Sequence, residues 1–550
     1  MKNTVLTAGG ICYLLLWFAG CSLDPERVSR QTDDVVYSLL EDRWKESFGD
    51  GADYRIDPFS SPSRPERLQE FEQNPVLSLA RAAELAVTRT HEYQTAKEQL
   101  YLAALNLRDA QHLYEWTPFA RATGGYAKEG DQGGEGGREA LGGSGEGGIR
   151  RLLASGTVLT SGLSVGYMDV LSGDFRSGLQ TIFQAAVTQP LLRGADRKVV
   201  LEALTQAEQD TLYAIRDFNR FRQTFLVSVV TEYYRLLFYQ MQLKYSREHY
   251  LQMLSIYDRM APLVQAGRLA AFELEQAHQD KIRAWDSYLQ ARQQYETQKD
   301  VLKRMLNIPQ EAPIEPDVNE WAALADGLRE LPLTEEQAIE AALNQRLDLA
   351  NAFDRTLDAQ RHAEIAADAL KADLTFVGFY SPANDGARRY AFGADPGDLQ
   401  RVRDRYEATL RLDLPLDRER EKNNYKRALI AWAQQQRIHQ QLTEQVVLEV
   451  RKAYRDCQEA RQRYQVQKEA CRLAQERLEK TLELMQVARA KSRDVLDAQK
   501  DSYQAHRAFT EAVFAYSTAL LQFYRDTGML WVKSGGGWEV RTASSAGIQP

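Results

Sequence analysis

Six positions recur every seven residues through the C-terminal part of the chain: Val450, Cys457, Tyr464, Cys471, Leu478 and Met485. Three residues further on lies a second row of mostly small side chains, Ala453, Ala460, Gln467, Ala474, Thr481 and Ala488. A strict seven-residue repeat predicts helices that supercoil left-handedly against their neighbours, with close approach where the row is small. The same register appears earlier in the chain, at an offset of 221, in Val229, Leu236, Leu243, Tyr250, Tyr257 and Val264. No Gly or Pro interrupts Ala195–Ala261, Arg268–Ile308 or the much longer stretch Leu416–Thr527. The pattern predicts helices over about 77–114, 195–264, 269–306, 334–370, 420–487 and 491–526, with a further one at 33–47. Elsewhere the period changes to two. Leu410, Leu412 and Leu414 alternate with Arg411 and Asp413, the signature of a strand with one wet and one apolar face. Strands are predicted near Phe119–Tyr126, Gln180–Thr188, Leu374–Tyr380 and Tyr406–Leu414. A fifth alternating stretch, Leu159–Tyr167, finds no counterpart and is expected to form an extra hairpin arm in an exposed loop.

These elements fall into two copies of one plan. Leu77-Ser78-Leu79 followed by Ala82, Ala86, Ala96 and Ala103 aligns, at an offset of 256, with Leu333-Thr334-Glu335 followed by Ala338, Ala342, Ala352 and Ala359. Thr188-Gln189-Pro190-Leu191-Leu192-Arg193 aligns with Asp413-Leu414-Pro415-Leu416-Asp417-Arg418 at an offset of 225. The drop from the first offset to the second reflects a longer loop in the first copy, where 12 of the 34 glycines lie between Gly124 and Gly148. The expected organisation is a leader at 1–20, an N-terminal extension and linker at 21–75, and a first repeat at 76–308. A connection at 309–332, a second repeat at 333–531 and a disordered tail at 532–550 complete it.

Composition narrows the possibilities. The 550 residues are 44% hydrophobic and 27% charged, with 69 basic and 77 acidic side chains, and mean hydropathy is −0.49. The apolar content excludes a disordered chain, and a pI near 5.7 argues against a nucleic-acid partner. Outside the first 20 residues nothing approaches the ~20 apolar residues of a spanning helix. The run Val5–Phe18 is too short to span but suits a signal peptide. Phe18-Ala19-Gly20-Cys21 resembles a bacterial lipobox, which would make Cys21 the lipidated first residue of an exported protein. The alternative is an ordinary cleaved signal followed by an incidental cysteine. Cys457 and Cys471 sit 14 residues apart on one expected helix, about 21 Å at 1.5 Å per residue. A disulfide tolerates no more than ~7 Å between Cα atoms, so both are expected to be free core residues.

The arrangement resembles the TolC-type outer-membrane efflux proteins over about residues 76–531. The resemblance rests on the Leu-Ser-Leu opening, the strand-to-helix turn Gln189-Pro190-Leu191-Leu192-Arg193-Gly194, and Arg493-Asp494-Val495-Leu496-Asp497-Ala498-Gln499 after the second hairpin tip. It implies a mainly α fold with a small β part. Duplicated long helical hairpins would build a trimeric α-barrel tunnel in the periplasm, and four strands per chain would enter a twelve-stranded outer-membrane barrel. It further implies a homotrimer working with a periplasmic adaptor and an inner-membrane transporter. A physical argument runs parallel: membrane β-structure must close, because lipid cannot satisfy a free edge. Closed barrels begin at about eight strands, more than the strands expected of one chain.

Within the resemblance, Asp494 and Asp497 match an acidic pore ring. At i and i+3 they share a helix face, and three chains would gather six carboxylates about one axis; the plainer reading is an acidic helix start favoured by the dipole. Ala266, Gly267, Arg268 and Leu269, with Val487, Ala488 and Arg489, are the implied adaptor-facing tips. Ala488, Met485 and Ala490 depart from the family's Gly, Tyr and Arg at that place. Gly143-Ser144-Gly145-Glu146-Gly147-Gly148 satisfies a dinucleotide fingerprint formally. With no βαβ unit around it, a flexible external loop is expected instead. The seven histidines are scattered singly, with no metal-ligand spacing, nucleophile elbow or phosphate loop. No cofactor, metal site or catalytic activity is expected. The rival reading is a lipid-anchored periplasmic coiled-coil scaffold without a pore.

Overall fold

The computed structural model describes residues 24–49, 53–56, 64–129, 138–172, 178–326, 331, 333–383, 403–486 and 489–541. The expected leader, Cys21, Val487 and Ala488 lie outside the described residues. The chain runs α1 (Pro25–Phe48), α2 (Arg64–Gln73), β1 (Val76–Leu77), α3 (Leu79–Arg89), α4 (His91–His112), β2 (Thr117–Glu129), β3 (Arg138–Leu152), β4 (Val158–Ser172) and β5 (Gly178–Pro190). It continues through α5 (Arg197–Val200), α6 (Glu202–Gln265), α7 (Ala271–Met305), β6 (Glu315–Pro316), α8 (Val318–Asp326), α9 (Glu335–Gln345) and α10 (Leu347–Asp368). The last elements are β7 (Asp373–Ala383), β8 (Arg403–Asp413), α11 (Glu419–Gln486), α12 (Ser492–Asp526), β9 (Leu530–Val532) and β10 (Trp538–Val540). Two compact units divide these elements. One comprises Met1–Arg43, Tyr101–Tyr213 and Phe353–Arg437; the other comprises Trp44–Leu100, Ala214–Ala352 and Ile438–Pro550.

The two copies correspond residue by residue. Adding 256 carries α3 and α4 onto α9 and α10, and adding 221 carries the end of α6 and both ends of α7 onto the end of α11 and both ends of α12. Each expected opening helix is interrupted once, at Thr90 (ψ 139°) and at Arg346 (ψ 118°), the same place in the two copies. Neither break carries Gly or Pro. Ser78 caps α3 through the Arg81 amide, and Thr334 forms a capping box with Gln337 at α9. Two segments depart from expectation. The Pro-rich linker contains the ten-residue helix α2, opening at Arg64-Pro65. The tail expected to be disordered from 532 instead contributes the hairpin β9–β10. Arg222 donates to the Val532 and Lys533 carbonyls at 2.9 and 3.1 Å, and Gln223 donates to Leu530 O at 2.9 Å, so this hairpin is bonded to α6.

In the second unit the seven-residue seam faces inward. Val446, Val450 and Ala453 of α11 pack with Val227, Ala338, Ala342 and Phe523, joining both copies in one core. Cys457 and Cys471 are buried and free. Glu320 of α8 accepts the Leu79 amide at 3.0 Å and the Tyr233 hydroxyl at 2.5 Å, tying the inter-repeat connection to the start of α3.

The first unit holds a six-stranded antiparallel sheet in the order β2-β3-β4-β5-β7-β8. Six strands, not four, therefore come from one chain. The Gly-rich tract expected to be a flexible loop is largely strand: β2 and β3 pair from Thr117↔Arg150 to Glu129↔Arg138. Glycine scores poorly as a strand former because it has no side chain to pack, which is why the tract reads as loop. Here the missing side chain is what the packing requires. A Cβ on Gly148 would fall 2.3 Å from Ser161 O and 2.8 Å from the Phe119 ring, so Phe119 lies across the glycines.

Candidate functional site

Two features are candidates: the faces of the sheet and the tips of the long hairpins. The register puts Tyr126, Ile149, Leu163, Val165, Phe183, Val187, Tyr406, Leu410 and Leu412 on one face of the sheet. All nine are exposed, Tyr406 by 74% and Leu410 by 65%. The other face carries Arg121 paired with Glu146 at 3.4 Å, a Thr123–Ser144 hydrogen bond of 2.7 Å, and Gln184, Glu407, Thr409 and Arg411. One side is thus apolar and uncovered, while the other carries the polar and charged groups, interspersed with Phe119, Val377 and Phe379. Strands of 11 to 15 residues match or exceed the ~9–11 that a tilted strand needs to cross a bilayer. Among the described residues of the single chain, both outer ladders, of β2 and of β8, are unpaired. No helix among the described residues is long and apolar enough to cross a membrane.

At the first hairpin tip Gly267 adopts φ +66°. The Arg268 amide donates back to Leu263 O at 2.9 Å, and the Gly267 amide donates to Val264 O at 2.9 Å. This is a glycine C-cap with its six-to-one bond. The equivalent bond recurs in the second copy, where the Arg489 amide donates to Leu484 O at 2.8 Å. Ala266, Gly267 and Arg268 are exposed, with Leu269 half-buried. Phe272, 68% exposed, and Leu263 at 40% add an apolar element that sequence reasoning missed, although a Phe so close to the tip glycine was a visible signal. Gly267→Ala puts a side chain where left-handed backbone disfavours it by about 1 kcal/mol. Hydrogen exchange at the Arg268 amide is expected to accelerate about fivefold, while amides of α6 far from the tip stay unchanged.

Asp494 and Asp497 open α12, both exposed. The Asp494 carboxylate accepts the Lys491 amide at 3.0 Å, so the helix-start role expected of an acidic residue is filled. The residues between and beside them do the opposite: Val495 (1% exposed), Leu496 (8%) and Ala498 (0%) are buried. Val495 and Leu496 pack with Met253, Ile256, Met260, Ala277 and Ala284 of the first hairpin. Sequence reasoning named the two aspartates but missed this apolar pair that fixes the direction in which they point. Among the described residues no group of His, Cys, Asp and Glu could hold a metal ion.

No family model matches the chain, and no curated protein is significantly similar to it in sequence. Solved structures are similar to it in fold. The CmeC outer-membrane channel of Campylobacter jejuni is 15% identical, over 88% of this chain and 91% of that one, with a TM-score of 0.57. The outer-membrane protein VceC of Vibrio cholerae is 15% identical, over 85% and 99%, with a TM-score of 0.57. The CusC transmembrane channel is 13% identical, over 87% and 98%, with a TM-score of 0.56. Over most of its length this chain has the fold of the TolC-type outer-membrane channels.

Proposed function

We propose that the chain is an outer-membrane exit duct of a tripartite efflux or type I secretion system, and that it works as a homotrimer. The observation that carries this reading is the exposed apolar face on a sheet with two open edges. In water such a face is an aggregation hazard; in lipid it is the required surface, provided every edge is paired. Three chains, each joining its β8 edge to a neighbour's β2, satisfy that condition by closing a barrel. The long hairpins then form the periplasmic tunnel. Their tips, at Ala266–Leu269 and Val487–Arg489, meet a periplasmic adaptor that links the duct to an inner-membrane pump. Asp494 and Asp497 ring the narrow end. The pump supplies the energy and the duct is a passive conduit with no chemistry of its own. Residues 1–20 are the leader, and Cys21 carries the lipid that anchors the N-terminus in the outer membrane.

The decisive experiment takes the full chain from outer membranes in mild detergent. A trimer band that dissociates on heating, and stepwise ion conductance in planar bilayers, are expected. A folded protein that conducts nothing would leave the coiled-coil scaffold as the better reading. Metabolic labelling with palmitate should mark the wild type and not Cys21→Ala.

A further inference from the structure

The hairpin β3–β4 stands between β2 and β5, and β2 and β5 share no register pair among the described residues. It cannot be an arm lying on the sheet, because without it the sheet would be two pieces. Its turn is fastened to the end of β5. The Thr157 hydroxyl donates to Gln189 Oε1, and Gln189 Nε2 donates to Ser155 O at 3.1 Å. Gly156, at φ +78°, is so close that a Cβ would meet Pro190 at 2.9 Å and Gly194 O at 3.0 Å. On the next strand the Thr117 hydroxyl donates to Arg150 O at 3.1 Å, and Arg151 Nε donates to Tyr114 O at 3.1 Å. In the second copy the corresponding strands, β7 and β8, pair directly with each other. This one hairpin accounts for the extra length of the first copy.

We infer that the β3–β4 hairpin widens the outer-membrane mouth, so that a trimer closes eighteen strands and the exit admits hydrated cargo of polymer size. The inference rests on the exit-duct reading above. Barrel diameter grows roughly linearly with strand number, and 16–18 strands leave an open aqueous lumen. Removing one hairpin per chain would leave twelve strands, a diameter about two-thirds as large. The polar face of the sheet would line the lumen. Its described charges, Arg121, Arg150 and Arg411 against Glu146, Asp373, Glu407 and Asp413, nearly cancel, so this section sorts solutes by size more than by charge.

The test compares the full chain with a variant lacking Arg138–Ser172, in which the remaining loop joins β2 to β5 in the same antiparallel sense. Polyethylene glycols of increasing size are added on the extracellular side only, where they probe the barrel mouth and not the periplasmic tip. The wild type is expected to admit polymers about half again as wide as the variant admits. Equal cut-offs in two conducting trimers would overturn the inference and leave the duct reading intact. Should the variant fail to assemble, cryo-electron microscopy of the wild-type trimer in nanodiscs decides by strand count: eighteen upholds the inference and twelve overturns it. A folded wild-type trimer without conductance removes the duct reading itself, and the inference with it.

Discussion

Replacing Asp494 and Asp497 together by asparagine raises single-channel conductance severalfold and abolishes most of the preference for cations. In the exit-duct reading, three chains would set six carboxylates around one axis, attracting cations and holding anions out of the narrowest section, so neutralising them would remove both the binding of the permeant ion and the barrier to its counter-ion. Asparagine is the better choice over alanine because Asp494 accepts the Lys491 amide at the start of α12, and an amide oxygen can still accept it. The helix start is held besides by Val495 and Leu496 packing on the first hairpin, so the substitutions change charge and leave geometry in place. Screening gives an internal control. At 1 M salt the Debye length is about 3 Å, against about 10 Å at 0.1 M, and the difference between variant and wild type should shrink as salt rises. Bilayer recordings in asymmetric KCl give conductance and reversal potential together. Unchanged values at low salt would mean that the two aspartates face the bulk and only start a helix.

The parts of the fold legible in the sequence are those set by periodicity. The heptad seam of Val450, Cys457 and Cys471, the long helices, and the strands β5, β7 and β8 follow from which positions repel water, and that information is local. The breaks at Thr90 and Arg346 were not legible. No Gly or Pro marks them, and what holds the second is remote: Arg346 is bonded to Glu449 on α11, far along the chain. Of the hairpin β3–β4, the second strand was legible as the alternating stretch Leu159–Tyr167, but β3 was hidden for a different reason. A strand rich in glycine has little side-chain alternation to read, and its identity emerges only once Phe119 and Gly162 are brought beside Gly148. In the site, the chemistry-bearing residues Asp494, Asp497 and Gly267 were visible as types at punctuated positions. The apolar groups that orient them, Val495, Leu496 and Phe272, were not, because an apolar residue near a helix start says nothing by itself about its partner.

Arg346→Met destabilises the folded protein measurably at neutral pH, and the loss largely disappears in acid. The Arg346 side chain is 5% exposed; its Nη2 reaches Asp348 Oδ2 at 2.6 Å and its Nη1 reaches Glu449 Oε2 at 2.6 Å. Methionine fills most of the stem volume but removes the cation that bridges two neighbouring carboxylates, leaving Glu449 without its cationic hydrogen-bond partner and Asp348 with only the charge of Arg220 nearby. Breaking a fully buried pair in this way costs ~3–5 kcal/mol. The carboxylates here are 30% and 38% exposed, so water screens part of that loss. Discounting the buried-pair cost for that screening leaves an expected deficit of about 2 kcal/mol at pH 7. Burial alone would raise the pKa of Asp348 and of Glu449, yet the hydrogen bonds and charge of Arg346, helped by Arg220 and the Leu349 amide at Asp348 and by Gln445 at Glu449, outweigh it and hold both below their ordinary values. A carboxylate whose folded pKa is depressed contributes stability above its unfolded pKa, near 4, and loses it as pH falls through the lower folded value. Wild-type stability should therefore drop below about pH 4, and Arg346→Met should drop less, so that the two melting curves converge. Adding Asp348→Asn and Glu449→Gln to the variant should recover stability at pH 7, because the unpaired charges are gone. Thermal melting of the detergent-solubilised protein at pH 7 and pH 3.5 measures all of this. An equal deficit at both values would show that Arg346 acts by packing alone and that its ion pairs carry none of the stability of the α9–α10 junction.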